Sequence, residues 1–306
     1  MPSAAPVGQC KSIASRANDD LISHVGHRDH TRHMEPLVKP PIVDVDANNE
    51  RLDNRELTAI ALSIMDGFPK WTEPLETRAR LLKPMPGSRF EDDDRMKPTD
   101  PPSQQVTGLL RSALDHLQMV SDAMAASGPR ALASFTLLRS ALEASALAAW
   151  LMLPGTKDAR LRNSIRLSIE NRKDAETFNK RWELDTDVGK WFIAEMTATK
   201  NQRPGTKDMD LSKNFPTLTS IINDTDKKQR WTGLRGLDAW RACSGFAHSN
   251  MQFAGATLME VTDGKSVANT LRPTIFMAML EPTKQYFEFS LGLAEKHRAA
   301  PPPARQ

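Results

Sequence analysis

Tyrosine occurs once in this chain, at Tyr286, and aromatic residues together make up only 6% of its 306 residues. Strands draw heavily on aromatic and β-branched side chains, so this scarcity argues against a β-sandwich or barrel. Cysteine occurs twice, at Cys10 and Cys243, too few for a disulfide framework or a cysteine zinc site and in keeping with a reducing compartment. Long hydrophobic runs are absent as well. The most apolar stretch, Ala144 to Thr156, ends at Lys157 after 13 residues, whereas a spanning helix needs about 20. The opening residues MPSAAPVGQC lack the basic start and apolar core of a signal peptide, so a cytoplasmic protein with no membrane contact is expected. Charge of one sign is not in excess: 41 Lys and Arg against 38 Asp and Glu leave a net +3, which excludes a histone-like binder and an acidic solvating tail. Missing too are a Gly-rich phosphate loop, H-E-x-x-H, G-x-S-x-G and a dinucleotide fingerprint. No cofactor is implied.

What is present is helical periodicity. Residues 1–50 carry Pro2, Pro6, Pro36, Pro40 and Pro41 without a sustained apolar period and are expected to be largely disordered; Met34 offers a second start. A short helical segment is expected over 51–83, with one helix from an Asn54 cap to Gly67 and another from Glu76 to Leu82. Residues 84–102 hold Pro84, Pro86, Pro98, Pro101, Pro102 and the acidic run Glu91–Asp94, the composition of a linker between domains. From 103 to 298 the apolar residues recur at threes and fours. Helices are expected at about 103–127, 130–153, 158–182, 188–199, 218–223, 234–249 and 274–297, with Pro129 in a first turn and Pro282 kinking or dividing the last. Thr257, Val261, Val267 and Thr270 flank Asp263–Gly264, the pattern of a small β-hairpin near 255–272. The tail 299–306 is Pro-rich. Short connections between long helices give the expected fold class: all-α, an up-and-down helical bundle with a small β-hairpin insertion.

Three polar constellations stand out. Arg139 and Glu143 lie at i,i+4 on the otherwise apolar face of Phe135, Ala146 and Trp150; such a pair is costly to bury unless satisfied. It either fixes helix register or orients a histidine or ligand group. In the stretch W-R-A-C-S-G-F-A-H, Arg241 and His248 are seven apart, about 700° and about 10.5 Å along a helix, so both project from one face. Histidine transfers protons near neutral pH and arginine holds a phosphoryl oxygen. Ser244 stands at i,i+4 to the histidine and is placed to hydrogen-bond it. His24, His27, His30 and His33 recur every third residue; on a helix that drifts about 60° per step and cannot converge on one ion. Residues 156–182 and 199–235 each hold eight Lys or Arg against four acids, without evident aromatic interleaving, faces that attract an anionic backbone or are simply solvated.

The string RSALEASALAAWLMLP, followed by an Arg-rich helix and by W-R-A-C-S-G-F-A-H-S, resembles a group of uncharacterised, largely actinobacterial helical proteins with R-x3-E and S-x3-H patterns. The likeness covers about residues 103–295 and implies a shared fold. More distantly, Arg241-x6-His248 resembles the R-x4-6-H signature of HEPN domains, helical bundles that are often dimeric and include metal-independent RNA endonucleases of toxin and defence systems. The resemblance implies RNA as a partner, a homodimer, His248 as the proton-transfer group and Arg241 as the phosphate holder; from their own placement, Ser244, Glu143 and Arg139 are added to the candidate site. The alternative reading is a non-catalytic bundle that binds a partner protein or small ligand, its Arg/Glu/His cluster structural.

Overall fold

A helix that is apolar over most of its circumference has to be enclosed, and α4 (Ala133–Met152) is such a helix, broken only by a polar stripe of Thr136, Arg139, Ser140 and Glu143. Phe135, Leu138, Ala141, Leu142, Ala146 and Ala148 on it are wholly buried. In the computed structural model of the chain, which describes residues 47–127, 132–182, 187–211, 215–229, 234–248, 258–262 and 267–300, five other helices pack on it. They are α3 (Pro102–Ser127), α5 (Lys157–Arg181), α8 (Leu218–Asp226), α9 (Gly236–Ala247) and α10 (Pro273–Arg298). The architecture is helical. Besides the helices, Leu258–Thr262 (β1) and Val267–Leu271 (β2) pair antiparallel, Leu258 opposite Leu271; the turn between them lies outside the described residues, as do Pro129, the histidines at 24–33 and most of the segment 1–50. Among the described residues no helix is long and apolar enough to cross a membrane.

The N-terminal part departs from expectation. Where two short helices were expected over 51–83, one helix, α1 (Ala47–Arg80), runs unbroken past Pro69 and Pro74. Each proline forfeits a backbone hydrogen bond, yet Phe68, Leu75 and Ala79 keep one buried face across both. Tertiary bonds hold that face on α10: Arg78 donates to both oxygens of Glu295 at 2.9 Å, and the Trp71 indole donates to Glu288 at 2.6 Å. Pro282 likewise neither divides nor ends α10.

Residues 84–102 are not a linker. They fold as α2 (Arg89–Met96), started by the Gly87 turn and by Ser88, whose hydroxyl accepts from the Glu91 N–H at 3.1 Å. Glu91 in turn accepts from the Gly87 N–H at 2.6 Å, one residue before the cap, while the Ser88 N–H goes to the Met85 carbonyl, so Ser88 and Glu91 together close the turn that starts α2. Asp93 is buried and receives Arg160 of α5 through two bonds of 2.7 and 2.9 Å. Asp94 takes the Ser103 N–H and hydroxyl at the start of α3. Phe90 joins the same core as Leu110 and Leu291, and Asn48–Gln306 is one compact unit. The acidic run is a set of caps and ion pairs, and no domain boundary lies there.

A smaller core of Leu161, Ile165, Ile169, Met196 and Met209 joins α5 to α6 (Asp187–Asn201) and to the stretch after α7 (Pro204–Lys207). Near α9 the lone tyrosine works as a strut. The single proton of the Tyr286 hydroxyl is shared between Asp226 at 2.5 Å and the Ile222 carbonyl at 3.0 Å, and Asp226 caps α9 through the Leu237 N–H. A Cβ at Gly236 would collide with the Tyr286 ring, which fixes glycine at the start of α9.

Two measurements test this frame. Asp93→Ala leaves the Arg160 guanidinium buried without its carboxylate and is expected to cost about 3–5 kcal/mol of unfolding free energy; a loss under 1 kcal/mol in urea titration would contradict the pairing. His297, buried against Phe90 with its ring centroid 5.5 Å away, is pulled down from 6.5 to about 4 by burial and then by Arg160 and Arg89. The native state therefore refuses a proton that the unfolded chain accepts. Its contribution, on the order of 3 kcal/mol, is complete above about pH 6.5 and is lost as pH falls toward 4. The His297→Gln variant should lose less stability than the parent between pH 7 and 4.5.

Candidate functional site

Helix α9 is laid along α4 by its own apolar residues. Cys243 and Phe246 are buried, and the Phe246 ring packs, tilted by 33°, at 4.1 Å between centroids against Phe135 in the first turn of α4. Burial pushes the Cys243 thiol up to about 12, so it is a packing group and no nucleophile. With Phe246 on Phe135, the stripe Trp240, Ser244 and the position after Ala247 faces the next turns of α4, where Arg139 and Glu143 stand.

Glu143 gathers the contacts. One of its oxygens accepts from Arg139 Nε on its own helix at 2.8 Å and from the Trp240 indole N–H of α9 at 2.7 Å. The Arg139 guanidinium lies 5.6 Å from the Trp240 ring centroid, a cation–π distance. Both charged side chains are about three-quarters buried, 25% and 22% exposed. The pair thus meets the condition under which a charged pair can sit on an apolar stripe: both members have further partners.

His248 closes α9, and its backbone N–H returns to the Ser244 carbonyl at 3.0 Å. The imidazole is exposed, and its Nε2 is 3.4 Å from Arg139 Nη1. A guanidinium only donates, so this contact uses the Nε2 lone pair and places the ring proton on Nδ1. Arg241 is exposed, within about 20° of His248 by helical phase. Of the five residues the sequence singles out, Arg139, Glu143 and His248 are therefore in one bonded cluster, and Arg241 is on the adjoining solvent side.

Ser244 is the correction. Its hydroxyl was expected to bond the histidine; instead its Oγ is buried without a partner among the described residues, and only its carbonyl reaches His248. Trp240 is the residue sequence reasoning missed. The signal was its spacing, four before Ser244 and eight before His248.

Chemically, the cluster offers an imidazole open to solvent, a largely buried guanidinium beside it and an exposed one on the adjoining side. Guanidinium groups can hold an anion, and an imidazole beside them can transfer a proton. Among the described residues no group of three or more His, Cys, Asp or Glu is placed to hold a metal ion. No protein-family model matches the chain, and no match is found among curated proteins or solved structures.

Trp240→Phe keeps a ring under Arg139 but removes the donor to Glu143 together with part of the indole packed on the core. Loss of a hydrogen bond to a charged acceptor should lower the unfolding free energy by about 1.5–3 kcal/mol, read from denaturant midpoints at constant slope. Glu143→Ala, which strands Arg139 beside His248, should cost more than Trp240→Phe.

Proposed function

We propose that this protein is a metal-independent RNA endonuclease built on a HEPN-like helical bundle, with His248 as the proton-transfer group and Arg241 and Arg139 as the phosphate holders. The observation that carries the reading is the exposed His248 imidazole with Arg139 at 3.4 Å. A phosphodiester entering this face exchanges partners. Its non-bridging oxygens take the guanidinium donors of Arg139 and Arg241, which frees Nε2 of His248. Nε2 then accepts the proton of the RNA 2′-hydroxyl as that oxygen attacks phosphorus. The bond from phosphorus to the 5′-oxygen breaks, the leaving oxygen takes a proton from solvent, and the products are a 2′,3′-cyclic phosphate and a 5′-hydroxyl. The negative phosphate also offsets the repulsion between a protonated imidazole and Arg139. Glu143 holds Arg139 and does not touch the substrate. The net +4 blocks at 156–182 and 199–235 would draw in the RNA backbone, and the HEPN resemblance adds a homodimer and a toxin or defence setting.

A second reading rests on a different observation. Glu143 accepts a donor from each of two helices, which is what a purely structural lock between α4 and α9 requires; the bundle is then a non-catalytic binder of a partner protein or small ligand.

His248→Ala separates the two. Under the nuclease reading the purified chain cleaves RNA in excess EDTA, His248→Ala abolishes the cleavage, and Tm moves by no more than about 2 °C because the side chain is exposed. Arg241→Ala should weaken cleavage by tenfold or more with the same small change in Tm. Absence of EDTA-resistant cleavage, or its survival in His248→Ala, sinks the nuclease and leaves the structural lock.

A further inference from the structure

Away from α4 and α9, a cleft of about 440 Å³ opens between the end of α1 and the start of α3, and through Arg80 and Arg111 it continues into one of about 360 Å³. Together they have the capacity of a small-molecule site. The first part is lined by three cations, Arg80, Lys83 and Arg111, and one acid, Asp94. Both oxygens of that acid are already engaged by the Ser103 N–H and hydroxyl at 2.9 and 2.6 Å. Arg80 has an ion pair with Glu76, while Lys83 and Arg111 pair with no other described residue. The second part ends in carboxylates, Glu76 and Asp115.

Gly108 lies on the wall of the first part, inside α3. Glycine weakens a helix interior relative to every residue but proline, and the usual compensation is close approach of another segment. Among the described residues no such approach exists at Gly108, where a Cβ would meet nothing within 4 Å. What the missing side chain provides is room in the cleft.

We propose that this cleft binds a phosphorylated small molecule bearing hydroxyl or amino groups, its phosphate held by Arg80, Lys83 and Arg111 and its donors by Glu76 and Asp115. Cations at the centre and acceptors at one end match a phosphate monoester joined to a polyhydroxyl or nucleoside part. The site shares no residue with the α4–α9 cluster and does not depend on the chain being a nuclease.

The test uses the full chain with inorganic phosphate, ribose 5-phosphate and AMP, followed by thermal shift and titration calorimetry at constant ionic strength. At least one of the two esters should raise Tm saturably and bind more tightly than inorganic phosphate; which one does so separates a sugar phosphate from a nucleotide. Arg111→Ala should weaken that ester by roughly tenfold or more. Gly108→Glu, which improves the helix and puts a carboxylate in the cleft, should leave the Tm of the free protein unchanged or higher and abolish the ester's effect. The proposal is overturned if none of the three probes binds, if the esters bind no better than inorganic phosphate, or if binding survives both substitutions.

Discussion

The burial of α4 over most of its circumference governs the rest of this molecule. A helix with Phe135, Leu138, Leu142, Ala146 and Leu151 all at or near zero exposure must find its neighbours before any of them is stable alone, because each neighbour presents only one apolar stripe. α3, α9 and α10 meet that demand along most of its length. The burial also concentrates the consequences of charge. α4 carries two ionised residues, Arg139 and Glu143, and neither can face an apolar neighbour without a partner. Each therefore reaches to the α4–α9 seam, where Trp240 supplies a donor and His248 a lone pair. The polar cluster is the place where α4 disposes of its charges.

A second set of polar contacts does comparable work at the other end. Asp93 with Arg160, Asp94 with Ser103, and Lys97 with Asp100 lie along α2 and the turn after it. Lys97 is wholly buried, and burial pulls its ammonium down to about 8 against the opposing pull of Asp100. Gln105 extends the network to α5 through the Ser164 carbonyl and the Ser168 hydroxyl, at 3.2 and 2.6 Å. Buried ion pairs add little net stability over apolar packing, but they penalise wrong arrangements strongly. Here they dictate where a short, highly charged helix docks.

That docking also explains where sequence reasoning reached and where it stopped. The long helices α3, α4 and α5 were legible because their apolar spacing continues for four turns or more. The Ser88-x-x-Glu91 cap was equally legible, since it is local, and composition drew attention away from it: four acids between prolines resemble a linker when their partners are out of view. Those partners sit up to 67 residues away, as Arg160 does from Asp93, and no periodicity announces a pairing at that separation. The same holds for α1. Pro69 and Pro74 signal breaks locally, and the forces that override them come from Glu288 and Glu295, 217 residues on. At the α4–α9 site, spacing sufficed to place Arg139, Glu143 and His248 as candidates, but it did not show that Arg139 would stand between the other two. Ser244 failed because the spacing that aligns side chains also lets the backbone satisfy itself, leaving its hydroxyl turned into the seam.

The position of Arg139 bears on whether one cluster can be both a lock and a proposed catalytic face. Glu143 takes its Nε, and Trp240 lies against its plane, so two of its three attachments are made inside the seam. The third, to His248, is the longest of the hydrogen-bonded set and the only one exposed to solvent. An anion arriving from outside would displace that contact first and leave the inner two in place, because the inner bonds are shorter and are shielded from water. Structural and chemical roles are then divided within a single guanidinium rather than in competition for it. On this account the seam sets the direction in which Arg139 can reach, and His248 stands at the end of that reach.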